Sequence, residues 1–340
     1  MMKKVVIAVL ILIVVGLGIY LATSFTKVEK KVVVYVAHDQ DYSEPILKDF
    51  EKATGIKVEA LYDTEATKTI GLVNRLIAEK NNPRADVFWN NEVMRTVMLK
   101  KEGILDSYCS PQATDIANVY KDENCYWTGF AARARVIISN TEKMSEDPKS
   151  IYDLTDSKWK GKTCIASPIL GTTSTHTAAI FALMGDEDAK KFFIDMKNNG
   201  IQILESNSMV RDQVVVGECY FGLTDTDDAY DAVNEGKPVK MIFPDQGKND
   251  IGDLIIPNSI MLIKGAPHPK EAKALIDYIL TPAVEEKLAD LALQMPLKQS
   301  SNAPENVPDV KNIKPLNLTQ EKIYEKLQIS NEFIQDVFFK

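Results

Sequence analysis

The feature that most constrains the fold is a repeated unit consisting of an apolar run, a polar loop and a helical pattern. Three such units fill the first part of the chain, with apolar runs at residues 32–37, 56–62 and 85–89. Continuous runs of β-branched and other apolar residues are typical of strands buried in a parallel sheet. Three units in succession therefore predict right-handed βαβ connections, with every polar loop at the same edge of the sheet.

The same rhythm returns in the second part of the chain, with apolar runs at 163–167, 200–204 and 220–223. After the last run, three carboxylates follow within four residues, at Asp225, Asp227 and Asp228. Ligands of open α/β sheets bind beyond the carboxyl ends of the strands, and clustered carboxylates need a partner there. We predict contact with a cation, an amine or sugar hydroxyls; the alternative is that these residues only cap a helix.

Two long extended stretches, near residues 130–138 and 254–263, separate these repeats and predict two crossover strands that form a hinge. The helical patterns after them show no further strand, so we expect those helices to pack on the first lobe. The predicted fold is two-lobed α/β, with lobe 1 at residues 32–132 and 259–340 and lobe 2 at 133–258.

The N-terminal residues 1–31 are predicted to be a signal peptide or an N-terminal membrane anchor. Lys3 and Lys4 precede an uninterrupted apolar segment from Val5 to Ala22. This segment exceeds the usual signal core of about 7–15 residues and approaches the roughly 20 that span a bilayer, which favours an anchor. The small residues at 22–24 leave cleavage open, and in both cases the rest of the chain lies outside the cytoplasm.

Composition and motifs exclude two classes of function. The chain has 48 acidic and 40 basic residues, a net charge of -8, and no basic stripe with interleaved aromatic residues, so nucleic acid is not an expected partner. It lacks the G-x-S-x-G, Walker, dinucleotide-binding and HExxH motifs. Ser174 and His176 lie two apart on a predicted helix and point to different faces, so we assign no catalytic residue.

The four cysteines fit an oxidising compartment. Cys109 and Cys125 flank a polar, loop-like segment, and a disulfide between them would stabilise the fold by about 3 kcal/mol. We predict that disulfide. Cys164 and Cys219 lie in apolar runs, where we expect buried thiols that pack as small hydrophobic groups, with a second bridge as the alternative.

Other strand ends also carry candidate binding residues. Thr172, Thr173 and Ser174 stand at a predicted helix start, which suits an anion or a simple cap. Asp63 and Thr64 share this ambiguity, and Ser206 follows another predicted strand. Arg133 and Arg135 lie on one face of a hinge strand, where they can bind a carboxylate or phosphate, or pair with acidic residues across the hinge.

Several longer strings extend these local signals to most of the chain. They are VVVYVAH at 32–38, FEKATGIKV at 50–58, ADVFWNNE at 85–92, WTGFAARARV at 127–136, GTTSTH at 171–176 and IPNSIMLIKGAPHPKEA at 256–272. Over about residues 31–300 the chain resembles the type II extracellular solute-binding proteins of ABC importers, in the group that includes ferric-iron-binding proteins. The resemblance implies a periplasmic-binding-protein-like fold, a monomer, and partnership with an ABC permease and its ATPase subunits.

The resemblance also implies a ligand set. In the ferric-binding relatives a His after the first strand, a Glu after the third and two adjacent Tyr hold iron; His38, Glu92 and Asp227–Asp228 stand at the matching positions. A synergistic anion would bind at Gly171–Ser174. We therefore expect no resident cofactor and iron(III) as cargo; the alternatives are a phosphorylated or polyhydroxylated organic anion, or a membrane-anchored ligand sensor. The full set of predicted ligand-binding residues is His38, Asp63, Thr64, Glu92, Thr172, Thr173, Ser174, Ser206, Asp225, Asp227 and Asp228.

Overall fold

The computed structural model describes residues 30–63, 70–305 and 307–340. The predicted N-terminal signal or anchor, up to residue 29, and the candidate Thr64 lie outside these ranges. Among the helices within them, none combines the length and apolar character needed to cross a bilayer.

The strands in these ranges are β1 Lys31–Val36, β2 Lys57–Tyr62, β3 Val87–Asn90, β4 Leu105–Asp106, β5 Thr128–Asn140, β6 Thr163–Ala166, β7 Gln202–Leu204, β8 Phe221–Asp225, β9 Val239–Ile242 and β10 Ile255–Ile263. The α-helices are α1 Gln40–Thr54, α2 Ile70–Ala78, α3 Met94–Lys101, α4 Gly171–Met184, α5 Asp186–Asn198, α6 Asn207–Val215, α7 Thr226–Asn234, α8 Pro269–Ile279, α9 Pro282–Ala292 and α10 Gln320–Phe338.

The predicted parallel units are confirmed in both halves of the chain. Strand β1 pairs in parallel with β2 and with β3, and β6 pairs in parallel with β7 and with β8. In the first unit, α1 buries Ile46, Leu47 and Phe50 and ends at Gly55, whose φ of 69° is easily adopted by a residue without a Cβ. Because neighbouring parallel strands end at the same edge of a sheet, the polar loops after these strands lie together at that edge in each half.

The two predicted crossover strands are also confirmed, as β5 and β10. They pair antiparallel with each other and lie in the middle of one hydrogen-bonded path, in the order β2-β1-β3-β10-β5-β8-β6-β7. Both strands are almost entirely buried. Side chains on β5 consequently reach the space between the two halves.

The C-terminal helix α10 departs from the prediction that it packs on the first lobe. Its Ile323 joins the apolar cluster of the first half, whereas Ile334 and Phe333 pack with Phe181 of the second. Most of its packing is against α4. The reason is that α4 is buried on all sides from Thr172 to Phe181, and α10 is the helix that packs on its outer face.

The structure contains two disulfides. The predicted bond between Cys109 and Cys125 is confirmed. Cys164 and Cys219 are also bonded, so the expectation of two buried thiols is wrong. Cys164 lies on β6 opposite Gly222 of β8, and Cys219 lies two residues before β8 begins at Phe221. The pairing of these strands therefore brings the two sulfur atoms together.

Candidate functional site

A cleft of about 40 Å³ opens where the strand ends of the two halves meet. At roughly 10–15 Å³ per water molecule, it holds about three waters, or a metal ion or small polar group. His38 follows β1, Asn91 follows β3 and Asp227 follows β8, as expected for the carboxyl edge of a parallel sheet. The residues lining the cleft are His38, Asp39, Tyr42, Asn91, Arg133, Asp227, Ala292 and Gln294.

An acidic cluster lies at this edge. Asp225, Asp227 and Asp228 each place a carboxylate oxygen within 4.8 Å of the others. Burial and the Asp225 charge raise the pKa of Asp227 to about 6, against the opposing charge of Arg133. Burial, Asp227 and Asp225 raise the pKa of Asp228 well above its ordinary value. These two carboxyl groups therefore tend to keep their protons in the ligand-free protein, and a bound cation would favour their ionised form.

Asp225, the most buried residue of this cluster, is held in place by protein side chains. It accepts hydrogen bonds from Arg135 Nη1 at 2.6 Å, Thr172 Oγ1 at 2.7 Å and Asn207 Nδ2 at 3.0 Å. Arg135 is completely buried, and further hydrogen bonds from its Nη1 to Thr172 and Asn207 help to offset the cost of burying this ion pair. Of the other two carboxylates, Asp227 lines the cleft, whereas Asp228 lies beside it and outside its lining.

The hydroxyls of the predicted anion site all have protein partners. Besides Thr172, Thr173 donates to Asn207 at 3.4 Å and Ser174 donates to Asn331 of α10 at 2.9 Å. Ser206 caps α6 by accepting the N–H of Met209. These contacts position α4 and α6 behind the acidic cluster.

Glu92 lies behind the cleft rather than in its lining. Its carboxylate accepts the backbone N–H groups of Met94 at 2.5 Å and Arg95 at 2.9 Å, which satisfies donors at the start of α3. The preceding residue, Asn91, lines the cleft, and its carbonyl accepts a hydrogen bond from Arg133 Nη2 at 2.7 Å. The acidic position predicted from the resemblance thus acts as a helix cap.

Asp63 also lies outside the cleft lining. It follows β2, and its carboxylate accepts the N–H of Leu72 in α2 at 3.4 Å. It therefore helps to hold the start of that helix.

His38 is buried in the cleft wall beside Trp89, with the two ring centroids 5.4 Å apart. Burial and the charge of Arg133 lower the pKa of His38 to about 4, so the imidazole is neutral at pH 7. Its Nε2 lies 3.0 Å from Nε2 of Gln294, and its Nδ1 lies 3.4 Å from the carbonyl oxygen of Asp39.

Tyr42 and Gln294 line the cleft but were missed from the sequence. Burial and the carboxylates of Asp39 and Asp227 raise the pKa of Tyr42. Its place in the first turn after a strand end was a usable signal. Gln294 follows α9 in a segment without any repeat or polar cluster, and nothing local indicates that it meets a residue 256 positions away.

Comparison with known proteins assigns these features to a family. The sequence profile of the bacterial extracellular solute-binding proteins matches residues 46–315. A Salmonella typhi periplasmic protein named as 2-aminoethylphosphonate-binding is 26% identical over 287 residues, covering 82% of each chain. The Fe(3+)-binding periplasmic protein of Serratia marcescens is 25% identical over 258 residues, covering 74% of each chain.

A solved structure shows the same fold. Apo ferric ion-binding protein A of Pasteurella haemolytica superposes with a TM-score of 0.81 over 91% of this chain and 98% of that one, at 23% sequence identity. This likeness confirms the predicted two-lobed α/β architecture.

Proposed function

Because this chain belongs to the bacterial extracellular solute-binding proteins, we propose that it is the receptor of an ABC importer and that its cargo is a metal cation, iron(III) first. It works outside the cytoplasm and delivers its cargo to a permease driven by ATPase subunits. Residues 1–31 direct export or anchor the chain to the membrane, and the body acts as a monomer.

The acidic cluster is the observation that carries this proposal. Asp227 and Asp228 are half-buried, adjacent and of like charge, and the pKa of each is raised. Carboxylates are hard oxygen ligands suited to hard cations. A bound cation would stabilise both ionised carboxylates and fill the small cleft.

Arg133 gives this cation site a second component. Its side chain is 13% exposed at the cleft, with Nη1 3.8 Å from Asp227 Oδ2. A guanidinium binds anions through directed, charge-assisted hydrogen bonds. A small anion that completes the coordination of the metal would lie against Arg133, and the name of the Serratia relative supports iron as the metal.

A second candidate cargo is a small zwitterion that carries an ammonium group and a phosphonate. The observation in its favour is the same pair, because Asp227 offers a negative charge and Arg133 a positive one across one small cleft. The name of the Salmonella relative supports this class. In this arrangement the ammonium group binds the acidic cluster and the phosphonate binds Arg133.

Closure of the cleft follows from the division of the site between lobes. We place lobe 1 at residues 32–132 and 259–340, apart from α10, which packs mainly on α4, and lobe 2 at 133–258, with β5 and β10 as the hinge. His38 then belongs to lobe 1 and Asp227 to lobe 2. A cargo that contacts both favours the closed state.

Thermal unfolding of the purified protein with ferric citrate or 2-aminoethylphosphonate tests the proposal. A ligand at 100 times its dissociation constant stabilises the native state by about 2.7 kcal/mol. Iron cargo predicts a shift with ferric citrate that a chelator abolishes. A shift with the aminophosphonate that survives the chelator supports the second candidate, and the absence of both shifts contradicts the proposed cargo classes.

A further inference from the structure

We propose that Gln294, oriented by Asn258, fixes the tautomer of His38, so that His38 binds the cargo as an N–H donor through Nδ1 and not as a metal ligand through Nε2. The inference rests on the proposed function only in placing the cargo in the cleft. It reassigns the role of a residue that stands at a metal-ligand position of the ferric-binding relatives.

The assignment starts from a backbone carbonyl, which can only accept hydrogen bonds. The side chain of the completely buried Asn258 approaches the carbonyl oxygen of Ala131 at 2.5 Å. The approaching atom must therefore be the amide nitrogen, Nδ2. The opposite orientation would place two oxygen atoms against each other in a fully buried site.

The Ala131 carbonyl is itself held firmly. The N–H of Ala131 donates to the buried carboxylate of Glu285 at 2.9 Å, and that carboxylate also accepts the N–H groups of Leu297 and Lys298. Ala131 has a φ of 37°, in the left-handed region that an alanine seldom adopts. The surrounding hydrogen bonds keep this conformation and so keep the carbonyl in place.

The orientation of Asn258 then determines that of Gln294. Nδ2 of Asn258 also lies 2.7 Å from the side chain of Gln294, so the Gln294 atom that faces it is the oxygen. The amide nitrogen of Gln294 is left facing Nε2 of His38 at 3.0 Å. Because an amide NH₂ group only donates, His38 Nε2 must be the acceptor.

A neutral imidazole whose Nε2 accepts carries its proton on Nδ1. Burial and the nearby Arg133 both favour the neutral ring. The acceptor beside Nδ1, the carbonyl of Asp39, is 3.4 Å away, which is beyond the usual range of about 2.7–3.2 Å. This weakly held N–H remains able to donate to an anionic oxygen of a phosphonate, or of an anion bound with the metal.

Nitrogen-15 NMR of the ligand-free protein tests the tautomer without any assumption about the cargo. The chain has 3 histidines, so each ring can be assigned from a single substitution. We expect His38 to show a protonated Nδ1 and an unprotonated Nε2. A protonated Nε2 would overturn the proposal. The ring of His268, whose Nδ1 lies 2.9 Å from Asp86, serves as an internal reference for folding.

Gln294→Glu tests the cause of the tautomer. A carboxylate at 294 accepts from Asn258 and from His38, so we expect the proton to appear on Nε2 while the His268 signals stay unchanged. Gln335→Glu makes the same chemical change on the exposed face of α10 and should leave His38 as in the parent protein. An unaltered His38 pattern in Gln294→Glu overturns the role of Gln294.

Binding of ferric citrate and 2-aminoethylphosphonate to two His38 variants tests the donor role. His38→Asn retains an N–H near the position of Nδ1, whereas His38→Leu does not. For the probe that the parent protein binds, we expect His38→Leu to lose affinity about tenfold or more and His38→Asn to lose much less. Equal losses in both variants overturn the donor role. Binding of neither probe by the parent protein would instead contradict the proposed cargo, and the NMR result would still stand.

Discussion

Arg133 of β5 and Asp227 of α7 face each other across the cleft, with Nη1 3.8 Å from Oδ2. This pair does not balance the charges of the site, because Asp227 shares its surroundings with the carboxylates of Asp225 and Asp228. Arg135, the second arginine of β5, forms a buried ion pair with Asp225 and does not reach Asp227. The ligand-free cleft is therefore preorganised for positive charge.

Asp227→Asn should separate binding from stability. Removing one of three clustered carboxylates relieves repulsion, so we expect the ligand-free variant to unfold at a temperature equal to or higher than that of the parent. Cargo affinity should fall at least tenfold, because a charged contact is lost. Thermal unfolding and a binding titration measure the two effects.

Asp231→Asn is the matched control for this change. Asp231 lies on the same helix, but its side chain is 54% exposed and pairs with Arg211. We expect unchanged affinity. Equal loss of binding in the two variants would show that affinity depends on the total negative charge of α7 and not on the carboxylate in the cleft.

The pH dependence should have opposite signs for stability and for cation binding. The pKa of Asp227 is raised to about 6 in the folded protein, whereas in the unfolded chain it is near 4. The stability that comes from this difference is therefore fully present below about pH 4 and is lost as the pH rises through about 6. The free energy of unfolding of the parent, relative to Asp227→Asn, should decrease between pH 4 and pH 7. Denaturant unfolding at several pH values measures this difference.

Cation affinity should instead fall as the pH drops through about 6, because binding requires the ionised carboxylate and releases its proton. Titrations at pH 5 and pH 7 measure this effect. An affinity independent of pH over this range would contradict a role for the ionised Asp227 carboxylate.

Glu92→Gln should affect stability and leave the cargo affinity unchanged. The carboxylate of Glu92 caps α3 through Met94 and Arg95, and loss of such a cap costs about 0.5–2 kcal/mol. Glu205→Gln, at an exposed position, should cost almost nothing. Loss of cargo affinity in Glu92→Gln at unchanged stability would instead identify Glu92 as a ligand.

Sequence patterns predicted the parts of the site that depend on strand position. Because parallel strands end at one edge of a sheet, the sequence alone was enough to place His38 and Asp227 at the same cleft. Arg135 was expected either to bind a ligand carboxylate or phosphate or to pair with acidic residues across the hinge; it binds Asp225 on the neighbouring strand β8, within the second half of the chain. These are consequences of topology, which continuous apolar runs specify well.

Other assignments needed tertiary contacts. A carboxylate just before a helix has the same local signature whether it binds a metal or caps the helix, so the backbone contacts of Glu92 could not be anticipated. The Cys164–Cys219 bond depends on which strands become neighbours. Gln294 meets His38 only because α9, the helix before it, packs against α1 and β5, and no periodicity in the chain encodes that meeting.

The disulfides provide a separate test of the fold. The chain-entropy relation gives about 3 kcal/mol for the separation of 16 residues between Cys109 and Cys125 and about 4 kcal/mol for the 55 between Cys164 and Cys219. Replacing either pair with serine should lower the free energy of unfolding, as measured in denaturant under oxidising conditions, and the loss should be larger for Cys164–Cys219. A larger loss for Cys109–Cys125 would contradict the loop-closure explanation.

The most direct test of the cation site is the amount of iron bound per chain after equilibrium dialysis against ferric citrate. We predict one iron per chain for the parent protein and for Asp231→Asn, and close to none when Asp227 and Asp228 are both changed to Asn. Iron retained by the doubly substituted protein, or absent from the parent while 2-aminoethylphosphonate binds, would contradict the assignment of iron(III) to the acidic cluster.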